Sequence, residues 1–203
     1  MNRTALSALP IDPSLQSIQE WNNTIYRLTN NREYELSEMV IRLLRYCSRV
    51  ALWFRKGGTD RTGYHLTMML SWLCAVANRL SLDLSEALAT HCAIVLPPDA
   101  PFAELQKEFK KRHLDTTLQS SALCLAEKVM AVASALEYYR ETHDEIHQTD
   151  MARKMAQSLE ALCDVAGHLG IDLSDEYELA FSNGCCKCGK IPCGCGYRAD
   201  KVV

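Results

Sequence analysis

Long apolar runs are missing from this chain. No stretch of about 18 consecutive apolar residues occurs in its 203 residues, so no segment reads as a membrane-spanning helix. A charge excess is missing too. Lysine and arginine number 22 against 25 acidic residues, a net charge of −3, and a general nucleic-acid binder would need a strongly basic face. The start, "MNRTALSALPIDP", holds too short an apolar stretch for a secretory signal and reaches two prolines early. The expected location is therefore the cytoplasm, where thiols stay reduced. Strand-like alternation is absent, and so are a glycine-rich phosphate loop and a Gly-x-Ser-x-Gly nucleophile turn.

Apolar residues make up 48% of the chain, enough for a true core, and they recur at helical spacing. Met39, Leu43, Cys47, Val50 and Phe54 form one stripe, and Leu66, Met69, Leu73, Val76 and Leu80 a second. Leu118, Ala122, Leu125, Val129, Val132, Leu136 and Tyr139 form a third. Met151, Met155, Leu159, Leu162, Ala166 and Leu169 form a fourth. Each stripe predicts an amphipathic helix, so the expected fold is all-α, a helical bundle. "KGGTDRTG" (56–63) and "ETHDEIHQTD" (141–150) separate the long helices, and "LPPDAPF" (96–102) is the best internal boundary.

The two sides of that boundary look alike. "NRLSLDLSEALATHC" (78–92) matches "GHLGIDLSDEYELAF" (167–181), with Asp83 and Asp172 each placed to cap a short helix. A tandem repeat follows, with an extension at 1–13, a first copy at 14–96, a linker at 97–102 and a second copy at 103–181. Residues 182–203 form a cysteine-rich tail.

Cysteine is what this sequence has in plenty. Of 10 cysteines, five fall between 185 and 195. Cys185-x-x-Cys188-Gly-x-x-Pro-Cys193-x-Cys195 offers four thiolates from two tight turns, with Gly189 free to take the positive φ of a knuckle. Four soft ligands fit a closed, structural Zn²⁺ site; a redox Cys-x-x-Cys and an iron–sulfur cluster are the alternatives. Cys186 is left over. Cys47, Cys74, Cys92, Cys124 and Cys163 read as small core residues. Trp21, Trp53 and Trp72 are expected in the core. "HDEIH" places His143 and His147 at ligand spacing but reads as loop.

The order "LQSIQEW", "LLRYCSRVALWFRKGG", "MMLSWLCAVANRLSLDLSEAL" resembles the MazG-like branch of the all-α nucleoside triphosphate pyrophosphohydrolases, and the cysteine tail resembles one that some members carry. The resemblance implies four-helix units that assemble into dimers or tetramers, and carboxylates on two helices that hold Mg²⁺ and a triphosphate. Here the matching positions are Tyr46 and Arg49 on the first helix and His65 and Met68 on the second. In the second copy they are Lys128, Ala131, Lys154 and Gln157, with Glu127 one place away.

The substitutions reverse the charge of the site. Arg42, Arg45 and Arg49 share one helical face, and with His65 they are candidates to hold a phosphate without a metal. The plainer alternative is a solvated face, as for the basic run "KEFKKRH" (107–113). The expected function is a catalytically degenerate MazG-like protein that binds a partner protein, another copy of itself or a nucleotide. The alternative is a Mg²⁺-dependent pyrophosphohydrolase using a shifted set, Glu35, Glu38, Glu160 and Asp164. A further option makes the zinc tail a docking surface.

Overall fold

The computed structural model describes residues 8–56, 61–94, 96–97, 99–142 and 144–195. Eight helices occupy them: α1 (Leu15–Glu33), α2 (Leu36–Lys56), α3 (Thr62–Arg79), α4 (Leu84–His91), α5 (Phe102–Arg112), α6 (Leu118–Thr142), α7 (Glu145–Leu169) and α8 (Leu173–Phe181). No strand occurs among the described residues, so the fold is all-α. The middle of the 56–63 break lies outside them, as does His143 of the "HDEIH" pair.

Local signals start the helices. Ser14 caps α1 by accepting from the Ser17 amide. Asp83 accepts from the amides of Ser85 and Glu86, and Asp172 from those of Ser174 and Asp175. Each cap satisfies donors that the first helical turn leaves without partners. Segment 141–150 differs from its loop reading. Asp144 caps α7 through the His147 amide, so the helix already runs from Glu145. The hydrophilic composition that suggested a loop is a wet first turn.

The stripes face inward. Met39, Leu43, Leu66, Met69, Leu73, Leu125, Val129, Leu159 and Leu162 are fully buried. Trp21 is buried, whereas Trp53 and Trp72 are only half-buried. Cys47, Cys74, Cys92 and Cys163 lie in the core and Cys124 at its edge. Burial pushes the thiols of Cys47 and Cys92 up to about 11 and about 12, which keeps them protonated and inert.

The helices pack with a reciprocal pattern. α2 lies along α3 and α6 along α7; α1 packs on α3 and α5 on α7. Corresponding helices then meet across the centre, α2 with α6 and α3 with α7. The short helices cross over: α4 packs on α7, and α8 on α3. Even the starts of α1 and α5 pair, through an antiparallel bridge between Ser14 and Pro101. Like meeting like, with crossed partners exchanged, is the contact pattern of a two-fold relation.

Two glutamines hold the crossover corners identically. Gln19 donates to the Leu82 carbonyl at 2.7 Å and accepts from the Leu84 amide at 3.0 Å. Gln106 donates to the Ile171 carbonyl at 2.5 Å and accepts from the Leu173 amide at 3.0 Å.

Candidate metal centre and aromatic cleft

Residues 182–195 turn back from the end of α8 and dock on α1. The Trp21 indole donates to the Phe181 carbonyl at 2.9 Å, fixing where the tail leaves the bundle. The Cys193 amide donates to the Ile25 carbonyl at 2.7 Å, and the Thr29 hydroxyl donates to the Cys193 carbonyl at 3.0 Å. The Tyr26 hydroxyl lies 3.7 Å from the Cys186 sulfur and accepts from its amide at 3.4 Å. Two glycines bend the chain: Gly184 at φ 103° and Gly189 at φ 62°. The second is the knuckle residue expected from the sequence.

These turns gather Cys185, Cys188, Cys193 and Cys195, whose sulfurs all lie within 4.8 Å of one another. The Cys193 and Cys185 sulfurs are 3.3 Å apart, and those of Cys185 and Cys195 are 3.8 Å apart. Thiolates about 2.3 Å from one tetrahedral ion stand about 3.8 Å apart, so the set can hold a metal ion and is consistent with zinc. Backbone N–H groups point at the sulfurs. Those of Gly194 and Lys190 pull the Cys188 thiol down to about 6. Burial works against ionisation of Cys185, but the amides of Lys187 and Cys188, with the Tyr26 hydroxyl and the Cys193 thiol, together outweigh it and lower that thiol too. Burial and neighbouring sulfurs raise Cys193 and Cys195. Two ready thiolates and two that need the ion to lose their protons are a workable donor set.

The docked tail forms one wall of a solvent-open cleft enclosing about 590 Å³. Cys185, Cys186 and Lys187 stand on one side; Tyr26, Tyr34, Tyr46 and Trp72 line the rest. Tyr34 meets Trp72 edge to face, with ring centres 5.6 Å apart. The Arg42 guanidinium lies 4.5 Å above the Tyr34 ring and 5.5 Å from that of Trp72. Stacking on two π faces holds the cation in place while leaving N–H donors for a ligand. The Trp72 indole N–H is buried without a partner. No carboxylate lines this cleft among the described residues.

The predicted phosphate set is divided. Arg42 lines the cleft, but Arg45 is exposed outside it. Arg49 lies 5.5 Å above the Tyr46 ring. His65 is buried among Tyr46, Trp53 and Tyr64, its Nδ1 without a partner. Burial, then Arg49 and Arg61, hold its imidazole below the usual range, in the neutral form. A one-face helical spacing placed the arginines together, but Arg42 lies over Tyr34 and Trp72, whereas Arg49 lies over Tyr46 and is not part of the cleft lining.

The alternative carboxylates are placed separately. The Glu38 carboxylate accepts from the Glu35 amide at 3.1 Å, serving the start of α2. Glu160 and Asp164 line another cleft with Lys128 and Gln157. There Glu160 meets His113 at 3.1 Å and Asp164 meets His168 at 3.6 Å. Among the described residues, the four cysteines form the one group of three or more His, Cys, Asp or Glu side chains near enough to share an ion.

Sequence reasoning did not find Tyr26, Tyr34 or Lys187. Tyr26 and Thr29 carried a usable signal, since they fall one helical turn apart on the face of α1 that receives the tail. Tyr34 carried none, because its role depends on α3 bringing Trp72 beside it. No family model, no curated protein and no solved structure matches the chain. No described helix is long and apolar enough to cross a membrane.

Proposed function

We propose that this protein works by binding rather than by hydrolysis. Its ligand is a nucleotide-like molecule, a flat ring bearing phosphate, held in the aromatic cleft beside a zinc-stapled tail. One observation carries the reading: four aromatic side chains and the cations Arg42 and Lys187 share a cleft with no carboxylate among its described residues. Rings stack on the faces of bases, and guanidinium and ammonium groups hold phosphate without a metal. Cys185, Cys188, Cys193 and Cys195 hold the zinc, which supplies folding energy and has no open position for chemistry.

This fits a degenerate relative of the MazG-like pyrophosphohydrolases, in which Tyr46 and Met68 stand where carboxylates would hold Mg²⁺. Self-association or a protein partner completes the reading, supported by Ile41 and Leu52 exposed on α2 and Leu123 and Met130 on α6. The test has two arms. Calorimetric titration of the zinc-loaded chain with adenosine and its phosphates is expected to show binding that Trp72→Ala and Arg42→Ala each weaken. The same nucleoside triphosphates in Mg²⁺ are expected to yield no pyrophosphate; steady release would establish the enzyme and overturn the proposal.

A further inference from the structure

The aromatic cleft does not end at Trp72. Asn30 and Ala75 line it, and both also line a second pocket of about 460 Å³ between α1 and α3. The two spaces are therefore neighbours across one asparagine. The lining of the second is different in kind: Arg27 and Arg79 together with Asn23, Asn30, Asn31 and Asn78. It holds two cations and four amides, with no ring and no carboxylate among the described residues.

Several of these groups are already committed. Asn78 exchanges hydrogen bonds with Gln19, donating to its carbonyl at 3.0 Å and accepting from its side chain at 3.1 Å. Arg79 donates to the Asn31 side chain at 2.6 Å, which steadies the guanidinium beside the pocket. Its position as the last residue of α3 also suits the negative end of that helix. That accounts for one arginine. It does not account for Asn30, which is only 7% exposed and whose side chain has no hydrogen-bond partner among the described residues. The Asn30 amide atoms are not sealed from solvent; they face the open space of the two pockets and stay available to a ligand. Arg27 is exposed and makes no ion pair among the described residues, leaving its donors for the same space.

We propose that this pocket is a metal-free oxyanion subsite, taking the terminal phosphate of a ligand whose ring lies in the aromatic cleft. Arg27 and Arg79 supply charge-assisted donors, and the Asn30 amide faces the passage between the two spaces. The ring end rests on the binding reading above; the anion end stands on this pocket alone. It implies a ligand with its anionic terminus away from Arg42, longer than a nucleoside with one phosphate on that arginine.

Titration of the zinc-loaded full chain separates the two claims, with inorganic phosphate as the probe of the subsite and uncharged adenosine as the probe of the cleft. The chain is expected to bind phosphate, and Arg27→Gln and Asn30→Asp are each expected to weaken it about tenfold or more, the loss of one charge-assisted hydrogen bond. Adenosine binding is expected to survive Arg27→Gln, since Arg27 does not line the aromatic cleft. Arg79→Gln also breaks the bond to Asn31, so exposed Arg27 carries the test if that variant fails to fold. Phosphate affinity unchanged in Arg27→Gln and Asn30→Asp, or lost in Arg42→Gln alone, overturns the subsite. So does no phosphate binding up to about 10 mM. Phosphate binding without adenosine binding upholds the subsite and refutes the aromatic-cleft reading; adenosine binding without phosphate binding does the reverse.

Discussion

Two glycines of the tail share a left-handed backbone but not a fate on substitution. A Cβ on Gly184 would meet the Ile191 side chain at 2.6 Å and the Lys190 carbonyl oxygen at 3.0 Å, at φ 103°. On Gly189, at φ 62°, it would meet nothing within 4 Å. Gly189→Ala should therefore cost about 1 kcal/mol of local conformational strain and still bind metal. Gly184→Ala should cost about 2 kcal/mol or more and loosen the turn that delivers Cys185. Metal content by mass spectrometry, beside melting curves of both variants, checks the order; equal effects would refute it. His65 gives a pH signature at the same scale. Its folded-state pKa lies below the ordinary value of 6.5, so the unfolded chain binds the proton more readily. Stability from this residue is present above pH 6.5 and falls as the pH drops through the folded-state pKa. His65→Phe should flatten that part of a denaturant-midpoint profile from pH 7 to 5.

At the scale of elements, the capping aspartates were legible because a cap is local: Asp83 and Asp172 need only their own next residues. The crossover was not, because α4 on α7 and α8 on α3 are long-range choices that an amphipathic stripe does not encode. A trace of it was present, however. Leu15, Ile18 and Gln19 recur as Phe102, Leu105 and Gln106, 87 residues on, and a glutamine at a fixed place on two apolar stripes is the mark of a latch. Gln19→Leu and Gln106→Leu each strand a buried backbone N–H at the corner, of Leu84 and of Leu173. Each is expected to lower stability by about 1–3 kcal/mol, measured by urea unfolding. The loss at Gln19 should be the larger, since its side chain also donates to Asn78 at 3.1 Å; a large loss at Gln106 and none at Gln19 would show that the corner bonds do not set the stability.

At the scale of the whole molecule, the four clustered cysteines were readable from spacing alone, whereas the cleft beside them was assembled from α1, α2, α3 and the tail and had no signature in any one segment. The same division governs what metal removal does. The bundle has its own buried core, including the α3–α7 contact at its centre, and needs no ion to stay apolar inside. The tail has few apolar side chains and hangs on α1 by the Cys193 amide, the Thr29 hydroxyl and Tyr26, so its order is expected to depend on an ion held by the four cysteines. A chelator is therefore expected to leave the far-ultraviolet helical signal at 20 °C nearly unchanged while amide exchange rises sharply at Gly189 and Cys193. Because Cys185, Cys186 and Lys187 form one wall of the cleft, adenosine binding should weaken in the same step. By linkage, bound ligand should raise the affinity of the tail for the metal by the same factor by which metal raises the affinity for ligand. If chelation instead melts the helices, the ion belongs to the core, and the separation of bundle from tail is wrong.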